Sequence, residues 1–435
     1  MKTLARAFGI AVLMATVSQP ATAQPIAVNC DAGGTITQAL ATAQPGATLQ
    51  VTGTCQESIT ITTDRVTLDG QGIAVIDGGG QTVITINGVQ GVTITGFTIQ
   101  NGDSGVVGTD GAAFAVQSTT IQDVANDGIV VTANSAARIA DCTVLRSGAR
   151  GIFVAFSSSA ALASAIVSQD NMGSGVSLFM TSSVLLGPGA SLMTNGNGGT
   201  GLSLSSASGF FINGSSVVAS ENNADGIGIF SSSAFQIGAG SSVLSENNAD
   251  DGLVVNGASR LLDTNESTIT LRNNVDRGLE INRMATASLF GTLLIESSGG
   301  FGMAVTNSAN VSVDGSVQLQ NNRGGGVGLI RYADAVFRAG TMLTNNAVDG
   351  FLVSQNSSLL AINIVVQNNG GPGINIDDGS DATVEESTLT GNGAGAGPDI
   401  SASFGSRLTL NGNTIGILPI TCDGSVLSRG DVLCP

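Results

Sequence analysis

The sequence contains no histidine and no tryptophan, one tyrosine and a single lysine, Lys2. Without histidine, the Ser-His, Cys-His and common zinc-dependent hydrolase mechanisms lose a side chain they depend on. General acid–base catalysis then falls to Asp, Glu, Tyr332 or an arginine acting against its high pKa. The composition therefore excludes many hydrolytic mechanisms and leaves carboxylate chemistry open.

Positive charge is scarce throughout the chain. Fifteen Lys and Arg stand against 32 Asp and Glu, which gives a formal net charge of −17 at pH 7. Loss of residues 1–23, which include Lys2 and Arg6, would remove two positive charges and bring the net charge to −19. A surface this acidic repels a phosphate backbone, so we expect no nucleic-acid partner.

Long apolar runs are also missing after the N-terminus. Residues 7–17 form an apolar segment that follows Lys2 and Arg6 and precedes the small residues 21–23, as in a cleaved secretory signal. No later stretch reaches the roughly 18 to 20 consecutive apolar residues needed to span a bilayer. The sequence therefore predicts an exported protein, periplasmic or secreted, without a transmembrane segment after cleavage.

The most regular feature of the chain is a small turn that ends in Gly and returns every 23 to 26 residues. A repeat with a mean spacing near 24 residues indicates one supersecondary unit copied many times. The anchor glycines are Gly105, Gly128, Gly151, Gly175, Gly201, Gly226, Gly252, Gly278, Gly302, Gly326, Gly350, Gly373 and Gly397.

Apolar residues occupy fixed places in this unit. In most repeats they stand one and three places after the Gly, as Ile227 and Ile229 do after Gly226, which is typical of a strand that buries one face. A second apolar position nine places before the Gly, for example Val217, predicts another short strand. Asn-Asn pairs recur just ahead of the turn, and stacked amides can hydrogen-bond to each other between parallel strands. The pairs are 222/223, 247/248, 273/274, 321/322, 345/346 and 368/369.

Several short strands per unit, without a helical period, predict a parallel β-helix rather than a leucine-rich horseshoe or a propeller. Segments 66–70 (VTLDG) and 91–99 (GVTITGFTI) belong to the same pattern. On these residues and the repeat, the chain resembles the right-handed β-helix repeat proteins of the pectin-lyase-like superfamily. The resemblance implies an all-β, single-domain right-handed parallel β-helix, and the repeat predicts about 15–16 coils.

The superfamily includes enzymes whose motifs are absent from this chain. Polygalacturonase relatives need Gly-His-Gly and Arg-Ile-Lys, and mannuronan epimerase relatives carry Asp-Pro-His-Asp. Pectate-lyase relatives place an Arg near a Pro beside calcium-binding carboxylates, and none of the eight prolines here has such an Arg. Fold alone does not fix function, so the resemblance leaves the activity open.

Both ends of the predicted solenoid have plausible covers. Segment 35–43 is the one convincing amphipathic helix, which Pro45 ends, and it precedes a strand over 48–51. We expect a signal peptide (1–23), an N-terminal cap (24–50), the β-helix (51–416) and a C-terminal cap (417–435). In an exported chain, disulfides are expected at these caps. The pairs are Cys30 with Cys55 and Cys422 with Cys434, which leaves Cys142 as a buried free thiol.

Paired carboxylates are the first candidate site. Asp225 and Asp251 directly precede consecutive anchor glycines, so they should lie one coil apart, and Asp250 and Asp276 form a neighbouring pair. Such a set would suit a glycosidase or share a Ca²⁺. Asp before Gly is also ordinary turn chemistry, which is the simpler interpretation.

The second candidate is an outward strip that begins where small side chains give way to polar ones. Arg, Tyr, amides and carboxylates are the groups that hold sugar hydroxyls and carboxylates, although a merely solvated polar face has the same composition. At one residue per coil the strip would extend roughly 20 Å. Its members are Glu280, Arg283, Asn307, Arg331, Tyr332, Asp377 and Asp378.

Two functions remain open on these grounds. The first is an exported, non-catalytic binding or scaffold protein, directed at a polysaccharide or cell-surface glycan and without a cofactor unless Ca²⁺ binds. The second is a polysaccharide lyase or glycoside hydrolase that works through carboxylates, or through Arg and Tyr of the strip. A third, metal delivery, is disfavoured by the lack of histidine.

Overall fold

The computed structural model describes residues 24–338, 340–395, 397–416, 420–423 and 426–430. The predicted signal peptide (1–23), Cys434 and the rest of 431–435 lie outside these residues. Within them, the chain winds as a parallel β-solenoid whose strands belong to two long sheets.

The narrow sheet contributes one short strand to each coil, sixteen in all among the described residues. Its strands pair in parallel and in register from each coil to the next, as Ile227 does with Leu253. They are Ile59–Ile61, Ile84–Asn87, Val106–Thr109, Ile129–Val131, Ile152–Ala155, Val176–Phe179, Leu202–Leu204, Ile227–Phe230, Leu253–Asn256, Leu279–Asn282, Met303–Thr306, Val327–Ile330, Phe351–Ser354, Ile374–Ile376, Ile400–Ala402 and Thr421–Cys422.

The wide sheet has thirty strands in the described ranges and bends along its length, so that most coils cross it as two strands, one on each arm. Four long strands pass through the bend: Thr67–Asp77, Gln90–Gln100, Ala136–Leu145 and Ser159–Gln169. Strands of the first arm are Ile26–Asn29, Thr48–Thr52, Ala113–Gln117, Ser183–Leu186, Gly209–Ile212, Ala234–Ile237, Arg260–Asp263, Thr286–Leu289, Asn310–Val313, Asp334–Phe337, Ser358–Ile362, Asp381–Glu385, Arg407–Asn411 and Leu427–Gly430. Strands of the second arm are Thr54–Gln56, Thr120–Gln122, Ser191–Asn195, Ser216–Ser220, Ser242–Glu246, Thr268–Arg272, Thr292–Glu296, Ser316–Gln320, Thr341–Thr344, Val365–Gln367, Thr388–Thr390 and Thr414–Ile415.

The core follows from the alternation in the sequence. After each anchor from Gly128 to Gly373, the residues one and three places later point inward on the narrow sheet, and Ile227 and Ile229 are fully buried there. Gly397 departs from the predicted pattern, because Ile400 pairs with Ile374 and Asp399 therefore takes the anchor position. The predicted apolar position nine places before each Gly points inward on the second arm, where Val217 and the free thiol Cys142 are buried. Burial raises the pKa of Cys142 to about 11, so the thiol stays protonated at neutral pH.

The predicted asparagine stack is present as a buried ladder. Except at Asn274, each ladder asparagine up to Asn369 donates through Nδ2 to Oδ1 of the asparagine one coil further on, at 2.9–3.0 Å, and that oxygen also accepts a backbone N–H. Asn392 donates instead to Oδ1 of Asp399, at 2.8 Å, which lies only seven residues further along the chain. The stack runs from Asn171 to Asn274 and from Asn322 to Asp399, with Ser298 between the two runs. The ladder residues are Asn171, Asn197, Asn222, Asn248, Asn274, Asn322, Asn346, Asn369, Asn392 and Asp399.

One asparagine of each pair belongs to the ladder, and in most pairs the other one forms the corner before it. Asn247, for example, has a φ of 56° and turns the corner in the left-handed region, which Asn tolerates better than most residues. In the pair 222/223 the order is reversed, because Glu221 takes the left-handed position and Asn222 enters the ladder.

The anchor glycines are explained by crowding rather than by backbone twist. A Cβ on Gly252 would lie 2.6 Å from Nδ2 of Asn274 and 2.7 Å from the carbonyl oxygen of Gly278. The ladder amide and the neighbouring coil therefore occupy the space that any side chain would need. The contact that consecutive anchors share is the carbonyl oxygen of the next coil, as at Gly105 and Gly278, where an apolar side chain takes the place of the ladder amide.

The predicted helix and disulfide are both present near the N-terminal end of the described residues. Helix Ile36–Leu40, capped by the Thr35 side chain, is shorter than the predicted segment 35–43; the described residues also contain two 3-10 elements, Cys30–Ala32 and Gly393–Gly395. Glu57 accepts hydrogen bonds from the backbone of Ile36 and Thr37 at the helix start. A disulfide joins Cys30 to Cys55. Cys422 is disulfide-bonded as well.

Candidate functional site

Most of the predicted strip lies on the turn that leads from the narrow sheet to the first arm. In each of these coils the turn contains residues with left-handed backbone conformation. In one coil these are the successive residues Arg331 (φ 62°) and Tyr332 (φ 61°). Backbone hydrogen bonds hold the same turn in neighbouring coils, so equivalent residues stack about 4.8 Å apart. The first turn position holds Arg283, Asn307, Arg331, Gln355 and Asp378 in five consecutive coils.

Three of these turns enclose a shallow depression of about 360 Å³, within the size range of small-ligand sites. Tyr332 projects from its rim with 64% of its surface exposed. Asn307 is oriented by donating through Nδ2 to Oδ1 of Asn282 at 2.8 Å. We call this surface the turn depression, and its lining residues are Asn307, Ser308, Arg331, Tyr332, Gln355 and Asn356.

Glu280 does not belong to this surface. It points outward from the middle of a narrow-sheet strand, where it accepts a hydrogen bond from Asn282 (3.1 Å) and forms an ion pair with Arg277 (3.4 Å). Asp377 lies one residue before the turn and has a buried Oδ1 with no hydrogen-bond partner among the described residues. Asp378 is at the first turn position but outside the depression. The strip predicted as one surface is therefore divided.

The predicted carboxylates do converge. Oxygens of Asp225, Asp250 and Asp251 lie within 4.8 Å of one another. Asp251 is 3% exposed and accepts the backbone N–H of Arg277 at 2.7 Å. We call this group the carboxylate cluster, which consists of Asp225, Asp250, Asp251, Asp276 and Glu280 around Arg277.

Arg277 is the centre of the cluster. Its Nη1 lies 3.6 Å from Asp251, 3.4 Å from Asp276 and 3.4 Å from Glu280. The sequence contains a signal for it, because Arg277 directly precedes an anchor Gly in the column that also holds Asp225 and Asp251. A pattern of paired acids does not include this basic residue, although it occupies the same column.

Burial dominates the electrostatics of this cluster. It raises the pKa of Asp225 to about 6, and the nearby charge of Asp250 adds to the effect. Burial also raises the pKa of Asp251 to about 8, although the N–H and the guanidinium of Arg277 act in the opposite direction. At neutral pH Asp251 therefore holds a proton for most of the time, whereas Asp225 is mostly ionised.

The cluster can perform two kinds of chemistry. Asp225, Asp250 and Asp251 offer the oxygen ligands that Ca²⁺ prefers, and a cation there would displace the bound protons. Alternatively, a protonated carboxyl beside an ionised one is the arrangement used for general acid catalysis. The other acids before anchor glycines are engaged differently: Asp127 forms a bidentate pair with Arg150, and Asp349 accepts from Asn375.

Comparison with known families gives one match. A model of the right-handed β-helix region matches residues 46–188 and 293–416, which together make up more than half of the chain. No curated protein sequence matches the chain. None of the helices in the described ranges is long and apolar enough to cross a membrane.

Solved structures with similar folds include an alginate lyase, a glucanase and a mannuronan epimerase. The alginate lyase from Paenibacillus sp. is 17% identical with a TM-score of 0.32, covering 69% of this chain and 95% of that one. The catalytic domain of a GH87 α-1,3-glucanase is 15% identical with a TM-score of 0.47, covering 72% and 66%. The mannuronan C-5 epimerase A-module from Azotobacter vinelandii is 15% identical with a TM-score of 0.32, covering 89% and 91%. At these values none of the likenesses bears on function.

Proposed function

The chain belongs to the right-handed β-helix family, and on that premise we propose that it is an exported, non-catalytic protein that binds carbohydrate through the turn depression. The observation that carries the proposal is the convergence of Tyr332, Arg331 and four hydroxyl or amide side chains from three coils on one depression. The same turn in earlier coils carries side chains such as Met180, Ala207 and Ser231.

The chemistry of the depression suits a sugar. An exposed phenol ring offers a flat apolar face with a polar edge, and the amides of Asn307 and Gln355 both donate and accept. Arg331 has no ion-pair partner among the described residues, so its guanidinium is available to a hydroxyl or a carboxylate of the ligand. Because the turns repeat about every 4.8 Å, neighbouring coils offer contacts to successive units of a linear polymer.

Export is part of the same proposal. The Cys30–Cys55 disulfide is stable in an oxidising compartment, and the sequence of residues 1–23 has the pattern of a secretory signal. A periplasmic or extracellular location would bring the depression into contact with polysaccharides and cell-surface glycans.

The test is a binding screen against neutral and acidic polysaccharides by affinity electrophoresis, followed by calorimetry with oligosaccharides of any polymer that binds. Tyr332→Ala and Arg331→Ala should each weaken binding about tenfold or more, or about 1.4 kcal/mol. Met284→Ala is the matched control, because Met284 is 65% exposed at the same turn position two coils earlier. Equal affinity of Tyr332→Ala and the wild type would refute the turn depression as the binding site. Failure of the wild type to bind any polysaccharide of the screen would refute the proposed function.

The carboxylate cluster supports a second candidate, a glycoside hydrolase. Asp225, with its pKa raised to about 6, would act as general acid, and the exposed Asp250 as its partner. Their oxygens lie within 4.8 Å, close to the roughly 5 Å separation of retaining enzymes. A reducing-end assay on the same panel tests this candidate. Asp225→Asn and Asp250→Asn should abolish the release of reducing ends, whereas the control Asp110→Asn should leave it unchanged. Release of reducing ends by Asp225→Asn at the wild-type rate would eliminate the hydrolase candidate.

The same carboxylates support a calcium site as a further candidate for this surface. Ca²⁺ would bind Asp225, Asp250 and Asp251, with Asp276 at the edge of the cluster, and would release protons as it does so. Calorimetry with CaCl₂ in two buffers of different ionisation enthalpy measures both binding and proton release. Heats that are unchanged by Asp251→Asn would rule the site out.

A further inference from the structure

A second shallow depression lies on the outer face of the first arm, directly beside the turn depression. It has a volume of about 420 Å³ and extends over four coils, three of which also form the turn depression. Its outward side chains pair in register from each coil to the next. We call this surface the arm groove, and its polar lining residues are Thr286, Ser288, Asn310, Ser312, Asp334 and Ser358.

The arm groove arises from a change of side-chain size in one outward column. In its first two coils this column holds the small, half-buried Ser288 and Ser312. In its last two coils the column holds Val336 and Leu360, which add apolar surface. The four coils before the groove carry the larger side chains Leu185, Phe211, Gln236 and Leu262 there. The groove therefore begins one coil before the turn depression and then accompanies it.

Tyr332 and an ion pair bound the groove along its strands. Outward side chains two residues apart in a strand lie roughly 7 Å apart, so Tyr332 stands between the turn depression and Asp334 of the groove. At the bend of the wide sheet, Arg338 forms an ion pair with Asp314, whose carboxylate also accepts from Ser312 at 3.2 Å. A single ligand that rests against the Tyr332 ring can therefore contact both depressions.

We propose that the turn depression and the arm groove together bind a neutral polysaccharide, with one edge of the sugar chain on Arg331 and the other on Asp334. This inference rests on the proposed carbohydrate binding and adds the class of ligand. Arg331 and Asp334 are the two charged residues in the linings of the depressions, so the formal charge of the combined surface is zero. Neither has an ion-pair partner among the described residues.

Charge and hydrogen bonding both favour an uncharged ligand. A guanidinium donates to a sugar hydroxyl and a carboxylate accepts from one, and such charge-assisted hydrogen bonds are stronger than neutral ones. The Tyr332 ring, Val336 and Leu360 offer apolar surface to the C–H faces of the sugars. An anionic polymer would instead meet the exposed carboxylate of Asp334 on a chain whose net charge is −17, and would be repelled.

Tyr332 provides the assay, because the chain has one tyrosine and no tryptophan and its intrinsic fluorescence comes from that residue alone. The wild type is titrated with neutral polymers (dextran, laminarin, pullulan and glucomannan) and with anionic ones (polygalacturonate, alginate and hyaluronan). At least one neutral polymer should bind and change the fluorescence, and the anionic polymers should bind about tenfold more weakly or not at all. Affinity for the neutral polymer should vary less than about twofold between about 10 mM and about 1 M NaCl, although the screening length falls from about 30 Å to about 3 Å.

Asp334→Asn separates the two ligand classes by the sign of its effect. The amide keeps the shape and loses the charge, so affinity for a neutral polymer should fall about fivefold or more, whereas affinity for an anionic polymer would rise. Asp110→Asn is the control, because it removes the same charge from an exposed position outside both depressions and should leave affinity unchanged. Ser312→Trp fills the groove without altering its charge and should also weaken binding about fivefold or more.

Two kinds of failure are distinguishable when calorimetry accompanies the titrations. If no polymer of either class binds, the proposed carbohydrate binding and this inference are both refuted. If Tyr332→Ala loses binding but Asp334→Asn and Ser312→Trp retain the wild-type affinity, the turn depression remains the site and the role of the arm groove is refuted. Binding of anionic polymers alone, or tighter binding by Asp334→Asn, would overturn the neutral class of ligand.

Discussion

The gap in the asparagine ladder at Ser298 makes a quantitative prediction about stability. Ser298 is fully buried and its hydroxyl has no hydrogen-bond partner among the described residues. It is too short to do what an Asn does there, which is to accept both the backbone N–H and the Nδ2 of the residue one coil before. Asn274 therefore donates no hydrogen bond along the stack among the described residues, although its Nδ2 donates to the carbonyl of Ser245 as other ladder amides do to the preceding coil.

Ser298→Asn should join the two runs. The new Oδ1 would accept from the backbone and the side chain of Asn274, and the new Nδ2 would donate to Asn322. Two or three hydrogen bonds at about 1 kcal/mol each, less up to about 1 kcal/mol for ordering the longer side chain, give a gain of about 1–2 kcal/mol. The reverse change, Asn248→Ser, would leave the buried N–H of Asn222 without its acceptor and should cost about 2–4 kcal/mol.

Hydrogen exchange is the most direct assay, since it measures opening near the substitution rather than averaging over the whole solenoid. The amide of Asn274 should exchange about tenfold more slowly in Ser298→Asn, and the amide of Asn222 faster in Asn248→Ser, as expected for changes of about 1.4 kcal/mol or more. Urea unfolding of both variants gives the corresponding change in overall stability. If Ser298→Asn left exchange unchanged or accelerated it, the inference that the ladder is interrupted for want of an amide would be wrong.

Three other experiments test the fold and its electrostatics. Because burial raises the pKa of Asp225 to about 6 and of Asp251 to about 8, the folded protein keeps protons that the unfolded chain releases above the ordinary aspartate pKa of 3.8. Stability in urea should therefore fall as pH rises from about 4 to about 8, and Asp251→Asn should flatten that slope; an unaltered slope would contradict the burial effect. Removing the disulfide with Cys30→Ser and Cys55→Ser, which opens a loop of 25 residues, should lower the unfolding free energy by about 3 kcal/mol, and loss of less than about 1 kcal/mol would show that the cap holds without it. Gly252→Ala should destabilise by about 2–4 kcal/mol, whereas Gly187→Ala, whose Cβ would meet its nearest atom at 3.5 Å, should have little effect in thermal unfolding, and similar melting of the two variants would count against crowding at the anchor.

The fold could be predicted because the same pattern of apolar residues, Asn and Gly recurs in every repeat of about 24 residues. Val217 and Ile227 show the inward columns, and the recurring Asn-Asn pairs show the ladder, so the β-helix and its stacked amides are confirmed. The reason for the anchor Gly was not accessible in the same way. Crowding of Gly252 against Asn274 depends on which side of the coil the amide occupies, and the sequence period alone does not specify that. The domain boundaries at 50/51 and 416/417 stay predictions.

The candidate site was only partly predictable. Asp225 and Asp251 come together because position in the repeat sets position along the axis. The repeat also predicts that Glu280 points outward, which is correct, but the two-residue turn after its strand carries the chain around a corner, so Glu280 and Arg283 belong to different surfaces. A linear pattern shows which residues stack; it does not show which neighbouring columns share a face.

The ladder has a consequence for how such a chain changes over evolutionary time. Each coil makes its hydrogen bonds only to the coils before and after it, through the same atoms at every step. A segment that runs from one ladder asparagine to the next, such as residues 223–248, can thus be duplicated or lost with every column still in line. The length of the solenoid can therefore change by whole coils, and surfaces such as the turn depression and the carboxylate cluster can be moved apart or together while each keeps its own residues.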